Sequence, residues 1–384
     1  MDIQLITTNE GLESCISSLS TRQEIAVDLE FDKNYYRYGF NLCLLQVFDG
    51  DSCYLIDPLS ENLNVDLIFP VLENREIQKV VFAFGEDLRL LHSMNCLPQN
   101  IYDVSIATSL LNYPPASLVS IISDVLEIDT GKSSQMSNWF KRPLTEQQLD
   151  YASQDVLHLL KLKEQFEKEA EQKEISSWIE EENEVFDRLN YTDVDDINLI
   201  KEKDKKDLSE YEWHLFKNLM DLREKIAEKN NVPGFKIIHK NSLIEIAKNP
   251  DNLNGSRFPN KYFKPDKQGS AEDHLAELLK KSKEEARRLG LSTSDPANKP
   301  LSKEEYAELK KERSKVNQVK ESVFKPIKKR ISQDYGSEAA SFMLSNRIIS
   351  EIITGECNSL LNYKKELLLS YAKELNLDIH EHLL

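Results

Sequence analysis

The sequence predicts an α/β domain with a mixed sheet, followed by all-helical units. Two observations carry that reading. Strand-length runs rich in Ile, Val, Leu and Phe recur between helical segments through the first ~170 residues. From Thr145 onward the apolar positions keep a helical period. The charge also shifts: residues 1–200 sum to −22 and residues 201–384 to +5, which together give the net −17.

Taken in order, Asp2–Thr7 reads as a short strand and Leu12–Leu19 as a helix. Glu24–Phe31, Leu42–Phe48 and Ser52–Ile56 read as a strand meander, with Asp49-Gly50-Asp51 as the turn of a hairpin. Leu67–Leu72 is helical, Lys79–Ala83 a buried strand, and Asp87–Met94 a helix entered through Gly85. Ile101–Leu111 and Ser117–Leu126 read as apolar helices parted by Pro114-Pro115. Thr145 followed by Gln148 is a capping-box pattern opening a long helix through Leu149, Ala152, Val156, Leu159 and Leu160. The acidic stretch 180–207 then reads as a linker. Leu215, Leu219, Leu222 and Ile226 form one stripe of a helix that Pro233-Gly234 stops. Ser242 with Glu245 fits a second capping box, opening Leu243–Lys248. Beyond residue 300 the clearest helix is Leu344–Thr354, closed by Gly355.

At 384 residues the chain is long enough for two or three domains. No apolar run approaches the ~18–20 residues of a membrane span, and Met1-Asp2-Ile3-Gln4 does not open a signal peptide. The five cysteines are scattered without CxxC spacing, which favours neither disulfides nor zinc and fits a reducing cytoplasm. The seven histidines show no HExxH spacing, and Gly131-Lys132-Ser133 lacks the upstream glycine of a phosphate loop. Trp139 reads as a core anchor, and Lys325 to Arg330 as a solvated helix end. The basic clusters at Lys261, Lys264 and Lys267, at Lys280 to Arg288 and at Lys311 to Arg330 fit either a nucleic-acid contact or solvated helix faces.

Chemistry concentrates in four acids and a tyrosine. Asp28 and Glu30 are two apart in a strand, so they share one face. Two neighbouring carboxylates on an apolar strand repel each other and resist desolvation, so a basic residue or a divalent cation must offset them unless that strand end is solvated. Asp87 at a helix start fits the helix dipole as well as a ligand role. Tyr151 and Asp155 stand one turn apart on one helix face. Together the four acids can surround a cation pair, with the phenol orienting a water.

At this point the chain resembles a known family. Ile25-Ala26-Val27-Asp28-Leu29-Glu30-Phe31, Glu86-Asp87-Leu88 and Tyr151-x-x-x-Asp155 resemble the three exonuclease motifs of the DEDD superfamily, tyrosine subtype. The run Lys132-x-x-Gln135-x-Ser137-Asn138-Trp139-x-x-Arg142-Pro143-Leu144 is similar to ribonuclease D in particular. Arg223, Ala227, Asn230, Pro233, Leu243, Ile246 and Ala247 resemble an HRDC domain.

The resemblance implies an RNase-H-like exonuclease domain over 1–175, an acidic helical linker over 176–207, an HRDC domain over 208–290 and a second, degenerate HRDC-like domain over 300–384. It implies two divalent cations, Mg²⁺ or Mn²⁺, held by Asp28, Glu30, Asp87 and Asp155, with Tyr151 positioning the water. Phe31 would pack on the terminal base or sugar, and Gln46 would face the terminal nucleotide. The activity implied is 3′→5′ exoribonuclease trimming of structured RNAs such as tRNA precursors, by a monomer. A DNA exonuclease of repair or proofreading type, and a non-catalytic nucleic-acid-binding protein, are the alternatives. Phe82 stands where relatives often have histidine, and Asn138 where they often have aspartate.

Overall fold

The computed structural model describes residues 2–129, 137–193, 200–251, 271–298, 302–357 and 360–379. Lys132, Gln135, Lys261, Lys264 and Lys267 lie outside the described residues. The chain forms two compact units. One comprises Met1–Glu30, Leu42–Val194 and Ala307–Leu384; the other comprises Phe31–Asn41 and Asp195–Tyr306. No described helix is long and apolar enough to cross a membrane. All five cysteines are free, and four of them are buried.

The first unit opens with β1 (Asp2–Ile6) and α1 (Asn9–Leu19), then β2 (Glu24–Lys33), β3 (Phe40–Phe48) and β4 (Ser52–Ile56). A short helical stretch ending in α2 (Phe69–Leu72) leads to β5 (Gln78–Val81) and α3 (Gly85–Ser93). The six-stranded sheet has the order β1-β4-β3-β2-β5-β6, with β6 at Ile101–Asp103. β3 and β4 form the expected antiparallel hairpin, whereas β1 runs parallel to β4 and β5 parallel to both β2 and β6. The sheet is therefore mixed.

Ile101–Leu111 is not one helix. Its first three residues form edge strand β6, and α4 (Val104–Leu110) follows directly, capped by Asp103, whose side chain accepts the Ser105 N–H. A three-residue apolar strand leaves no periodicity to distinguish it from helix. α5 (Leu118–Leu126) starts at Ser117 as expected.

The long helix from Thr145 is also divided. α6 (Glu146–Leu157) has the expected capping box between Thr145 and Gln148, but the chain leaves the helix at His158 and restarts as α7 (Leu159–Gln172). α6 packs on β4 and α7 on β5, two directions that one straight helix could not serve.

α8 (Ser176–Asn183) departs from the linker expectation. Ile179 and Asn183 are buried, and the Asn183 amide oxygen accepts the Asp103 N–H at 2.7 Å.

In the second unit, α9 (Glu210–Lys229) carries the expected Leu215 and Leu219 stripe into the core and has its own capping box, Ser209 with Glu212. After α10 (Gly234–Ile237), α11 (Lys240–Lys248) starts three residues earlier than expected. His239 is its N-cap, so Ser242 and Glu245 lie inside the helix and form no capping box. A Cβ at Gly234 would sit 2.6 Å from Glu224 Oε1 and 2.8 Å from Arg223 Nε, so any larger residue would displace the paired Arg223 and Glu224 side chains. α12 (Ala271–Arg288) completes the packing through Leu275 and Leu279.

α13 (Lys303–Val319) leads to α14 (Lys325–Tyr335), α15 (Ser337–Met343), α16 (Asn346–Thr354) and α17 (Asn362–Glu374). Gly355, in the left-handed conformation, ends α16 as expected. These last helices do not form a separate body. Phe324, Ile327, Met343 and Leu368 share one core with Ala26, Leu44, Val80, Val156 and Phe166. Trp178 of α8 stacks on Tyr363 at 5.1 Å and meets Tyr335 edge-on at 5.0 Å. Lys364 pairs with Glu182 at 2.7 Å, with both side chains largely buried.

Candidate active site

Two local rules place the acids. Alternation along β2 sends Val27 and Leu29 into the apolar core and leaves Asp28 and Glu30 on the other face. Helical spacing on α6 puts Tyr151 one turn before Asp155, and the phenol is near enough to lower the Asp155 carboxyl. The fold then joins the two elements. Asp28, Glu30 and Asp155 each present a carboxylate oxygen, and the three oxygens lie within 4.8 Å of one another. Glu30, Asp87 and Asp155 are each 8 % exposed, and Asp28 is half-buried.

Asp87, on the first turn of α3, stands outside that trio but close enough for its charge to be felt by Asp28 and Glu30. Among the described residues, none of the four acids has an ion-pair partner. Burial raises all four carboxyls, and repulsion within the cluster adds to it at Asp28 and Glu30. Glu30 is pushed up to about 9 by burial, then by Asp155 and Asp87. Asp28 is raised by burial and by Asp87, Asp155 and Glu30. Asp87 rises to about 7, from burial with Asp103 and Glu86 adding. Asp155 also rises to about 7, from burial, against the lowering effect of the Tyr151 hydroxyl. Burial and the neighbouring acids push the Tyr151 phenol up, so it remains a hydrogen-bond donor. Such a cluster must hold protons or cations. Its donors are all oxygen, which suits a hard divalent ion.

The remaining expected contacts are less uniform. Gln46 lies fully buried on β3, and among the described residues neither its amide oxygen nor its nitrogen has a hydrogen-bond partner. An orphaned buried amide is costly and fits a group that waits for a ligand. Phe31 continues β2 beyond Glu30, and its ring meets Phe40 edge-on at 5.2 Å.

Two supporting residues, Asp103 and Arg142, have no role in the sequence reading. Asp103 is buried and accepts the N–H groups of Ala83 and Phe84, each at 2.9 Å. Those bonds fix the turn into α3, where Ala83 has φ +54°. The acid just before a helical run was the available signal, and it was obscured by reading 101–111 as one helix.

Arg142 makes a bidentate pair with Asp57, at 2.6 and 2.7 Å, and donates to the carbonyls of Trp139, Lys141 and Cys43. It thereby ties the segment before α6 to the sheet. Trp139 is buried with its ring 6.1 Å from that of Tyr151, which agrees with a core anchor. Asn138 caps the local turn through the Phe140 N–H. Phe82 packs against the core.

Comparison with known proteins agrees with this architecture. Residues 3–171 match the family model of a 3′-5′ exonuclease, and residues 213–255 match that of the HRDC domain. A ribonuclease D of Zymomonas mobilis is 31% identical over 250 residues, covering 64% of this chain and 64% of that protein. A ribonuclease D of Bartonella henselae is 28% identical over 247 residues, covering 64% and 61%. The matched stretch thus spans less than two thirds of these relatives' length. Among solved structures, Escherichia coli RNase D, an exoribonuclease involved in structured RNA processing, superposes with TM-score 0.66 at 22% identity, covering 97% of this chain and 99% of that one. The catalytic core of RRP6 from Trypanosoma brucei superposes with TM-score 0.59 at 22% identity, covering 74% and 80%. At such identities the structures speak for the fold, and the sequence matches for the lineage. Residues 3–171 thus carry a 3′-5′ exonuclease domain and residues 213–255 an HRDC segment, and in sequence the chain is similar to ribonuclease D proteins.

Proposed function

We propose that the protein is a metal-dependent 3′→5′ exoribonuclease that trims the 3′ ends of structured RNAs, such as tRNA precursors, and releases nucleoside 5′-monophosphates. The observation that carries this reading is the convergence of Asp28, Glu30 and Asp155 within 4.8 Å, with no cationic side chain paired to them among the described residues. Two divalent cations, Mg²⁺ or Mn²⁺, would be held by Asp28 between them, by Glu30 and Asp155 on one side and by Asp87 on the other. Bound there, such ions supply the positive charge that activates water and neutralises the phosphate in the transition state.

The chain's own residues do the rest. Tyr151, one helical turn from Asp155 and backed by Trp139, orients the attacking water with its hydroxyl. Gln46 offers its unpaired amide to the terminal nucleotide, and Phe31 offers an aromatic face to the terminal base or sugar. Asp103 and Arg142 hold the elements that carry Asp87 and Asp155.

The test is digestion of 5′-labelled RNA bearing a single-stranded 3′ tail, with Mg²⁺ or Mn²⁺. A ladder of single-nucleotide shortening is expected, abolished by EDTA and by Asp28→Ala. Shortening that survives in Asp28→Ala would remove the site assignment. Faster shortening of a matched DNA strand would replace RNA as the substrate.

A further inference from the structure

The first unit is strongly acidic. Counting charged residues between the unit boundaries gives it −19, and gives the second unit +2. RNA is a polyanion whose affinity comes mainly from cations that displace its counterions. A site in the second unit meets that requirement. A cavity of about 490 Å³ is lined by Lys33, Lys201, Arg223 and Lys240, with Phe235 as its aromatic wall. None of the described lining residues is acidic. Lys240 is paired with Asp204 and Arg223 with Glu224, so part of the cavity's positive charge is offset.

The aromatic wall is exposed yet rigidly built. Phe235 is 42% exposed, and Tyr35, whose ring lies 6.4 Å away, is 62% exposed. Tyr35 sits at the tip of the hairpin between β2 and β3. The buried Asp32 carboxylate accepts the N–H groups of Tyr35, Tyr36 and Arg37 at 3.0–3.3 Å. The Asn34 N–H bonds across the tip to Gly39 O at 2.7 Å. The tip is also fastened to the 231–236 segment. The Tyr38 N–H donates to Asn231 Oδ1 at 3.3 Å, and Lys236 Nζ donates to Tyr36 O at 3.2 Å. Large apolar rings held in water on so fixed a loop carry a hydration cost that a stacking ligand would remove.

We propose that this cavity is a docking subsite for single-stranded RNA, with Tyr35 and Phe235 stacking on a base and the surrounding cations holding its phosphates. The proposal rests on the exoribonuclease reading for the identity of the nucleic acid. Aromatic stacking is tolerant of sequence, and phosphate contacts carry none, so the subsite binds strands of any sequence. It also gives an acidic enzyme a place to hold a polyanion.

The test uses the full chain in EDTA at low salt, titrated into 5′-fluorescein-labelled oligoadenylate and followed by fluorescence anisotropy. Tyr35→Ala and Phe235→Ala should each weaken binding by about five- to tenfold. Tyr35→Phe keeps the ring and should bind as the unaltered chain does. Lys201→Gln should lower the slope of log affinity against log salt by about 0.7. Unchanged circular dichroism in the exposed-ring variants excludes misfolding. Because EDTA silences chemistry, the titration stands whether or not the chain cleaves RNA. Wild-type affinity in both alanine variants would overturn the proposal, as would an unaltered chain that fails to bind the strand.

Discussion

Replacing Glu30 by glutamine should stabilise the metal-free protein at neutral pH while removing its metal affinity. Glu30 has an ordinary value of 4.5 and is held at about 9 in the fold. The native state therefore keeps a proton that the unfolded chain releases above pH ~4.5. A raised carboxyl contributes stability that is fully present below its unfolded value and is lost as pH rises through about 9. Between pH 5 and pH 7 the loss attributable to Glu30 is about 3 kcal/mol. Glutamine keeps the shape and carries no titrating group.

Urea unfolding in EDTA, followed by tryptophan fluorescence, measures this directly, since Trp139 and Trp178 belong to the first unit. At pH 7, Glu30→Gln should exceed wild type by about 2–3 kcal/mol, and at pH 5 the gap should nearly close. Adding Mn²⁺ should close the gap. Ligand at a hundred times its dissociation constant stabilises wild type by about 2.7 kcal/mol, and the variant gains far less. A Glu30→Gln protein no more stable than wild type at pH 7 in EDTA would refute the idea of a proton-loaded, cation-seeking cluster.

Arg142→Met leaves the buried Asp57 carboxylate without its cation and should cost about 3–5 kcal/mol in urea unfolding; a loss below 1 kcal/mol would show that the segment before α6 is held by other contacts. Asp103→Ala frees the Ala83 and Phe84 N–H groups and should cost about 1–3 kcal/mol, with weaker Mn²⁺ binding by calorimetry because the turn that aims Asp87 relaxes. Tyr151→Phe keeps the ring beside Trp139 and loses only the hydroxyl, so kcat should fall by about 10²-fold or more while Mn²⁺ binding stays near wild type; an unchanged kcat would remove the hydroxyl from the reaction.

Much of this architecture is legible at short range. The β2 alternation puts Asp28 and Glu30 on one face, and the α6 period stacks Tyr151 over Asp155, before any tertiary contact is considered. The Thr145–Gln148 capping box forms as its residues suggest. The same pattern at Ser242 and Glu245 does not, because His239 starts α11 earlier and buries Leu243, Ile246 and Ala247. β6 was hidden because a strand of three residues has no period of its own, and it exists through its pairing with β5. The break at His158 has no glycine or proline to mark it, and only packing on two different strands accounts for it.

What the sequence determined by itself was therefore the set of local elements and the side chains that share a face, since backbone geometry fixes these within a few residues. It also carried the motifs that mark the lineage. What only the tertiary structure decided was which faces meet. It brought Asp155 of α6, more than a hundred residues further along the chain, within 4.8 Å of Asp28 and Glu30 on β2, and it left Asp87 just outside them. It drew residues 307–384 into the first unit's core. These outcomes depend on the burial of apolar surface between segments distant in the chain, a collective balance that no short stretch of residues contains.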